Sequence, residues 1–209
     1  MNTSCDADDR KLPAAGPTLS YVLQDWGPPG ARPLEGVLHP GLQLVLGGEG
    51  RGKTRLLRLL AGADPLPAAC TLHPAPWPAF LSDLEEEGLR AVVAAEWLGR
   101  HAAQPGWRAK VASALLEALG LQDHLLKQVH MLSTGTRRKL GLVAAAAGTA
   151  RLVLLDQPHA ALDARSCRVL DELLAEAAQE SHRCWVVADY SCPERLQGLP
   201  GVRVLDLGD

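Results

Sequence analysis

Two rhythms of apolar residues alternate along this chain. Leu42-Gln43-Leu44-Val45-Leu46 is a short, nearly unbroken apolar run, and Arg55-Leu56-Leu57-Arg58-Leu59-Leu60-Ala61 follows it with leucines at helical spacing. The first predicts a strand and the second an amphipathic helix. Upstream, residues 18–24 alternate as a strand and residues 34–38 read as another, with the turn cluster Trp26-Gly27-Pro28-Pro29-Gly30 between them. Residues 66–78 are rich in proline and read as irregular. Helical spacing returns at residues 84–103, 107–119 and 121–127, punctuated by Gly106 and Gly120, so a helical lobe over about residues 77–139 fills the middle. Trp77, Trp97 and Trp107 read as core of that lobe or as a groove facing a partner. A further helix is predicted to about residue 147, a fully apolar strand at 151–155, a helix at 163–180, and strands at 184–188 and 202–207. Strands alternating with helices predict an α/β fold, a mostly parallel sheet covered on both faces, in one domain over residues 18–209. Residues 1–17, polar and bearing Pro and Gly, predict a disordered lead.

Composition narrows the classes. Aromatics are only 4% of 209 residues, so the core is mostly Leu, Val and Ala. A net charge of −3 without a long basic run lacks the electrostatic footprint of a nucleic-acid binder. Cys5, Cys70, Cys167, Cys184 and Cys192 are odd in number and scattered, which fits reduced thiols in the cytosol. Cys184 and Cys192 lie near His182, but the spacing fits no zinc pattern. No apolar run approaches the ~18 residues that cross a bilayer, and the polar, acidic first residues are no signal peptide. Work at a membrane requires another chain to supply the spans.

Between the strand at 42–46 and the helix after it lies Gly47-Gly48-Glu49-Gly50-Arg51-Gly52-Lys53-Thr54, a match to G-x-x-x-x-G-K-[ST] in the strand, loop, helix context that the motif needs. Glycines let backbone N–H groups converge on a phosphate, and the helix N-terminus adds unpaired donors and partial positive charge. Lys53 is placed for the β- and γ-phosphates, the Thr54 hydroxyl for Mg²⁺, and Arg55 opens the helix beside them. The fold is thus predicted as a P-loop NTPase, and the motif alone says only that it takes a nucleotide. The second landmark is Arg151-Leu152-Val153-Leu154-Leu155-Asp156, an apolar strand ending in a carboxylate. In open α/β sheets ligands bind at that edge, where Asp156 would hold Mg²⁺ directly or through water.

Leu132-Ser133-Thr134-Gly135-Thr136 resembles the LSGGQ signature of the ATP-binding cassette (ABC) ATPase subunits, about twenty residues before Asp156 as in that family. Asp156-Gln157-Pro158, then Ala161-Leu162-Asp163, are similar to its DEP and SALD segments. Trp26 stands where the family carries an aromatic that stacks on adenine. Length and arrangement resemble most the small bacterial subunits of the haem-exporter type. The resemblance implies an ATPase subunit on the inner face of the membrane, powering a separate membrane-spanning permease. It implies that two such domains, alike or different, face head to tail around two ATP molecules. Lys53, Thr54 and Asp156 then come from one chain, and Ser133 with the Gly135 N–H from the other. An ATP-gated clamp without turnover in its own site, and a P-loop phosphotransferase of another class, are the alternative readings.

Three departures from the family pattern bear on catalysis. Gln157 stands where the family has the Glu that polarises the attacking water; Gln orients water but takes no proton, and losing a general base costs ~10²–10⁴ in rate. Asp189, ending Trp185-Val186-Val187-Ala188-Asp189, replaces a His that contacts the γ-phosphate. A carboxylate there repels phosphate unless it is protonated or shares a cation, or it serves as the base that Gln157 cannot be. Gln157 and Asp189 are therefore the candidate catalytic residues. Third, the glutamine on the loop into the lobe is missing. Residues 71–77 are read as that loop, with His73 as the replacement. Arg137, Arg138 and Lys139 read as a solvated helix face that reaches phosphate in a partner's site at most.

Overall fold

Strands without a polar side cannot lie at a surface. Here β6 (Leu152–Asp156) and β7 (Cys184–Asp189) are buried on both faces, inside a five-stranded sheet whose pairs are all parallel. In the computed structural model, which describes residues 18–24, 33–73, 77–82 and 87–208, the sheet runs β5-β6-β7-β3-β8. Its other strands are β3 (Gly41–Leu46), β5 (Ala79–Leu81) and β8 (Val202–Asp206). A smaller antiparallel sheet joins β1 (Leu19–Leu23), β2 (Leu34–Leu38) and β4 (Thr71–His73) in the order β2-β1-β4.

Alternation along the central strands divides the interior in two. Leu152, Leu154, Cys184, Val186 and Ala188 face α1 (Lys53–Ala61) and the antiparallel sheet. Val153, Leu155, Trp185 and Val187 face the opposite way, into one core with the helices α2 (Ala94–Ala102), α3 (Ala109–Ala118), α4 (Thr134–Ala147) and α5 (Ala164–Ala177). Side chains that alternate across a strand produce such a division directly. Gly62, in the left-handed region, ends α1. Ser133 and Asp163 cap α4 and α5 by accepting from Thr136 N and Ser166 N.

Several sequence expectations change. Residues 71–73, read as irregular, are β4 and pair with β1. Residues 79–81, read as part of the lobe, are β5 at the edge of the parallel sheet. Three-residue strands are too short to show a period, and only their pairing holds them. Of the helix expected at 84–103, the described residues 87–103 are α-helical only over Ala94–Ala102, and 121–127 holds a single 3₁₀ turn, Gln122–His124. Trp97 is buried in the lobe-side core. Trp77 is not lobe core: it packs with α1 and the antiparallel sheet, and the Arg151 guanidinium lies 5.0 Å from its ring centroid. The predicted lead at 1–17 and the turn at 26–30 fall outside the described residues.

Candidate functional site

The loop between β3 and α1 owes its shape to glycine. Gly52, the residue before α1, has φ 86°, which L side chains rarely adopt. The loop is also held by the distal end of the chain, since Leu207 N donates to Leu46 O and Gly48 N to Gly208 O. Glu49, Gly50, Arg51, Thr54 and Arg55 are exposed around it. Lys53 is only 5% exposed, and its Nζ donates to the carbonyls of Gly47 and Gly48, at 2.6 Å each. The same Nζ sits 4.4 Å from the centroid of the Tyr190 ring. The cation is thus held beside the loop amides by two carbonyls and a π face.

Across the sheet edge, Thr54 Oγ1 donates to Asp156 Oδ2 at 2.6 Å. Asp156 Oδ1 is buried and has no hydrogen-bond partner. A buried carboxylate oxygen without a donor is costly, and a hydroxyl–carboxylate pair with a spare oxygen is the donor set of a hard cation such as Mg²⁺. The residues present therefore fit that ion. Both side chains line a cavity of about 270 Å³ with Ser82, Thr134, Arg137 and Arg138 among its other walls. Ser82 directly follows β5, beside Leu154. Of the loop assigned to 71–77, residues 71–73 are instead the strand β4, with His73 opposite Ser20, and residues 74–76 lie outside the described residues.

Gln157 follows Asp156 with φ 44°, and its N–H donates to Ala188 O at 2.8 Å. A left-handed glutamine is uncommon, and strain of this kind concentrates at functional sites. Asp189 lies level with Leu46 in the β3–β7 pairing, and Ala188 level with Asp156 in the β6–β7 pairing. Asp189, the loop between β3 and α1, and Gln157 thus meet at one sheet edge. Asp189 Oδ1 accepts from Tyr190 N at 2.8 Å, and Oδ2 lies 3.1 Å from His159 Nδ1. His159 Nε2 lies 2.9 Å from Asp171 Oδ1. Burial alone would pull the His159 imidazole down, but hydrogen bonds to Asp189 and Asp171 and their negative charges outweigh it and raise it above its ordinary value.

Ser133 is exposed and engaged with its own helix, its Oγ accepting from Thr136 N at 3.1 Å. Gly135 is buried, and a Cβ there would run into the Ala161 carbonyl, on a residue that itself has φ 61°. Two further links reach the turn before α5: Arg138 Nη1 donates to Ala160 O, and Lys139 Nζ to Asp163 Oδ2, both at 2.6 Å. The bond from Lys139, with those from Ser166, holds the Asp163 carboxyl well below the usual range. So 137–139 is not a solvated face: Arg137 and Arg138 line the cavity and Lys139 is tied down. Gly135→Ala is expected to lower stability by about 1–3 kcal/mol, since backbone must move. A thermal melt checks this, and an unchanged midpoint would show that the two segments separate freely.

Residues 34–160 match the family described as ABC transporter. The chain belongs to that family. This ABC chain is 34% identical over 184 residues to the cytochrome c biogenesis ATP-binding export protein CcmA of Paracoccus denitrificans, covering 86% of this chain and 83% of that one. It is 29% identical over 204 residues to the lipoprotein-releasing system ATP-binding protein LolD 2 of Chlorobaculum tepidum, covering 82% and 80%. A solved ATP-binding subunit of an ABC transporter shares the fold with TM-score 0.65, at 17% identity over 83% of this chain and 80% of that one. The ABC chain is an ATP-binding subunit and an ATPase, and it powers a membrane-spanning partner. No helix among the described residues is long and apolar enough to cross a membrane.

Among the expected residues of this ABC subunit, the fold brings Gly47, Gly48, Lys53, Thr54, Asp156, Gln157 and Asp189 to one edge. Ser133 and Gly135 instead sit at the start of α4, on the turn that leads to α5. Trp26 lies outside the described residues. Sequence reasoning missed Tyr190, His159 and Asp171. Tyr190 had a signal, since a residue following Asp189 must lie near the loop once β7 is placed beside β3. His159 had none, because its partners are 12 and 30 positions away.

Proposed function

We propose that this subunit binds Mg-ATP at the phosphate loop, closes on a second nucleotide-binding domain, alike or different, and hydrolyses ATP slowly. The observation that carries the reading is the Thr54–Asp156 pair, with its spare, buried Asp156 Oδ1 at the mouth of the loop. The amides of residues 47–54 wrap the triphosphate, and Lys53 exchanges the Gly47 and Gly48 carbonyls for phosphate oxygens. Thr54 and Asp156 hold Mg²⁺, which supplies neutralising charge for the β- and γ-phosphate oxygens. Glu49, Arg51 and Arg55 border the phosphates, and Trp26 stacks on adenine.

The second domain contributes Ser133 and the Gly135 N–H to the γ-phosphate, a second helix N-terminus turned on the same anion. Gln157 orients the attacking water. Asp189 takes the proton that this water gives up as its oxygen bonds to phosphorus and the bond to ADP breaks. Closure of the pair drives the permease, with the subunit held at the inner membrane face. The cargo is set by the permease.

Sedimentation equilibrium tests the sandwich. Saturating Mg-ATP is expected to convert the monomer, alone or mixed with its partner domain, into a dimer that disperses when the nucleotide is hydrolysed. A chain that stays monomeric in both settings would overturn it.

A further inference from the structure

His159 stands on the turn after β6, Asp171 lies within α5, and Asp189 ends β7. Three separate elements thus contribute to one string, Asp171–His159–Asp189, with contacts of 2.9 and 3.1 Å. Their side chains are 14%, 20% and 16% exposed, so solvent screens the string only weakly. A neutral imidazole has one N–H and one bare nitrogen. Between two carboxylates, the bare nitrogen would face an acceptor lone pair at hydrogen-bond distance. Only the imidazolium donates on both sides. The upward shift of His159 agrees with that geometry.

The string ends where the chemistry is. β7 lies between β3 and β6, and its last residue is level with the one before the phosphate loop. Both Asp189 oxygens are occupied, one by the His159 imidazolium and one by Tyr190 N–H. The carboxylate is fixed in one orientation, and its charge is matched before a polyphosphate arrives. Asp171, at the far nitrogen, fixes the ring in turn. This meets the requirement that an anion at the sheet edge share a cation.

We infer that His159 is a positioning residue for ATP hydrolysis: as an imidazolium anchored by Asp171, it orients the Asp189 carboxylate and offsets its charge at the phosphate loop. The inference rests on the reading of Asp189 as the group that takes the proton from water. No proton leaves His159 in this scheme. A tie that merely joined α5 to β7 would affect melting but not the pH dependence of turnover.

The test uses the full chain with Asp171→Asn, His159→Gln and Asp189→Asn, each measured for kcat, KM and ATP affinity across pH. Ring ¹⁵N NMR of the nucleotide-free protein reports His159 directly. The groups facing His159 are Asp189 on β7 and Asp171 on α5, with Cys167 one turn before Asp171. Asp171→Asn and His159→Gln are expected to lower kcat by about tenfold to a hundredfold, as a displaced catalytic group does, with ATP affinity unmoved. In the wild type, kcat falls on the alkaline side as His159 loses its proton. In Asp171→Asn that limb moves to lower pH, because one anionic partner is gone. The spectra should show both ring nitrogens protonated at neutral pH. A neutral ring there overturns the inference without reference to catalysis. If Asp189→Asn is inactive while the other two keep wild-type kcat and the same alkaline limb, the positioning role fails and the reading of Asp189 stands. If Asp189→Asn turns over normally, the underlying reading fails. Should His159→Gln not fold, Asp171→Asn, which keeps the side-chain shape, carries the test.

Discussion

Lys53→Ala is expected to weaken ATP binding by about thirtyfold or more. Nζ makes two short bonds, to Gly47 O and Gly48 O, and it can exchange them for two of the same kind to phosphate. Because those bonds are exchanged rather than added, the loss is that of one charged partner facing the triphosphate, about 2–5 kcal/mol, which corresponds to roughly 30- to 5,000-fold in Kd. The lysine is almost wholly buried, so truncation also leaves a gap beside Tyr190, and some loss of stability follows. Calorimetric titration with Mg-ATP reads the affinity, and a parallel melt separates it from unfolding. Undiminished affinity in a folded variant would remove the phosphate loop from the functional account.

Asp189→Asn is expected to bind ATP normally and to lose about 10²–10⁴ in turnover, the usual contribution of a general base. An amide takes no proton. It also has one oxygen for two donors, so either Tyr190 N or His159 Nδ1 faces an N–H₂ instead. That mismatch costs about 1–3 kcal/mol of stability, and a melting curve bounds it. Rates measured well below the melting midpoint then report chemistry alone. Turnover equal to the wild type would show that Asp189 is not the base and leave Gln157 as the water-orienting group.

The phosphate loop was legible because local rules converge on it: an apolar run, glycines, then leucines at helical spacing. Asp156 was legible for the same reason, at the end of a strand with no polar face. What escaped the sequence was held by pairing rather than pattern. Thr71–His73 and Ala79–Leu81 are strands only because β1 and β6 lie beside them. The reading of residues 137–139 as solvated failed similarly, since the turn at 160–163 that engages them is remote in sequence. Asp189 stood out by departing from a pattern, but its imidazole partner was invisible, because nothing in one sequence ties residue 159 to 171 and 189.

The placement of β3 has a consequence for biogenesis. Its two neighbours in the sheet, β7 and β8, come from the last part of the chain, and the loop itself is fastened to Gly208. A nascent chain on the ribosome therefore carries residues 47–54 long before β7 and β8 can hold them in register. Contacts this distant in sequence close slowly, since the entropy of a long loop must be overcome first. Competence for nucleotide should consequently wait until residues 184–208 have been made, long after β3 itself has emerged.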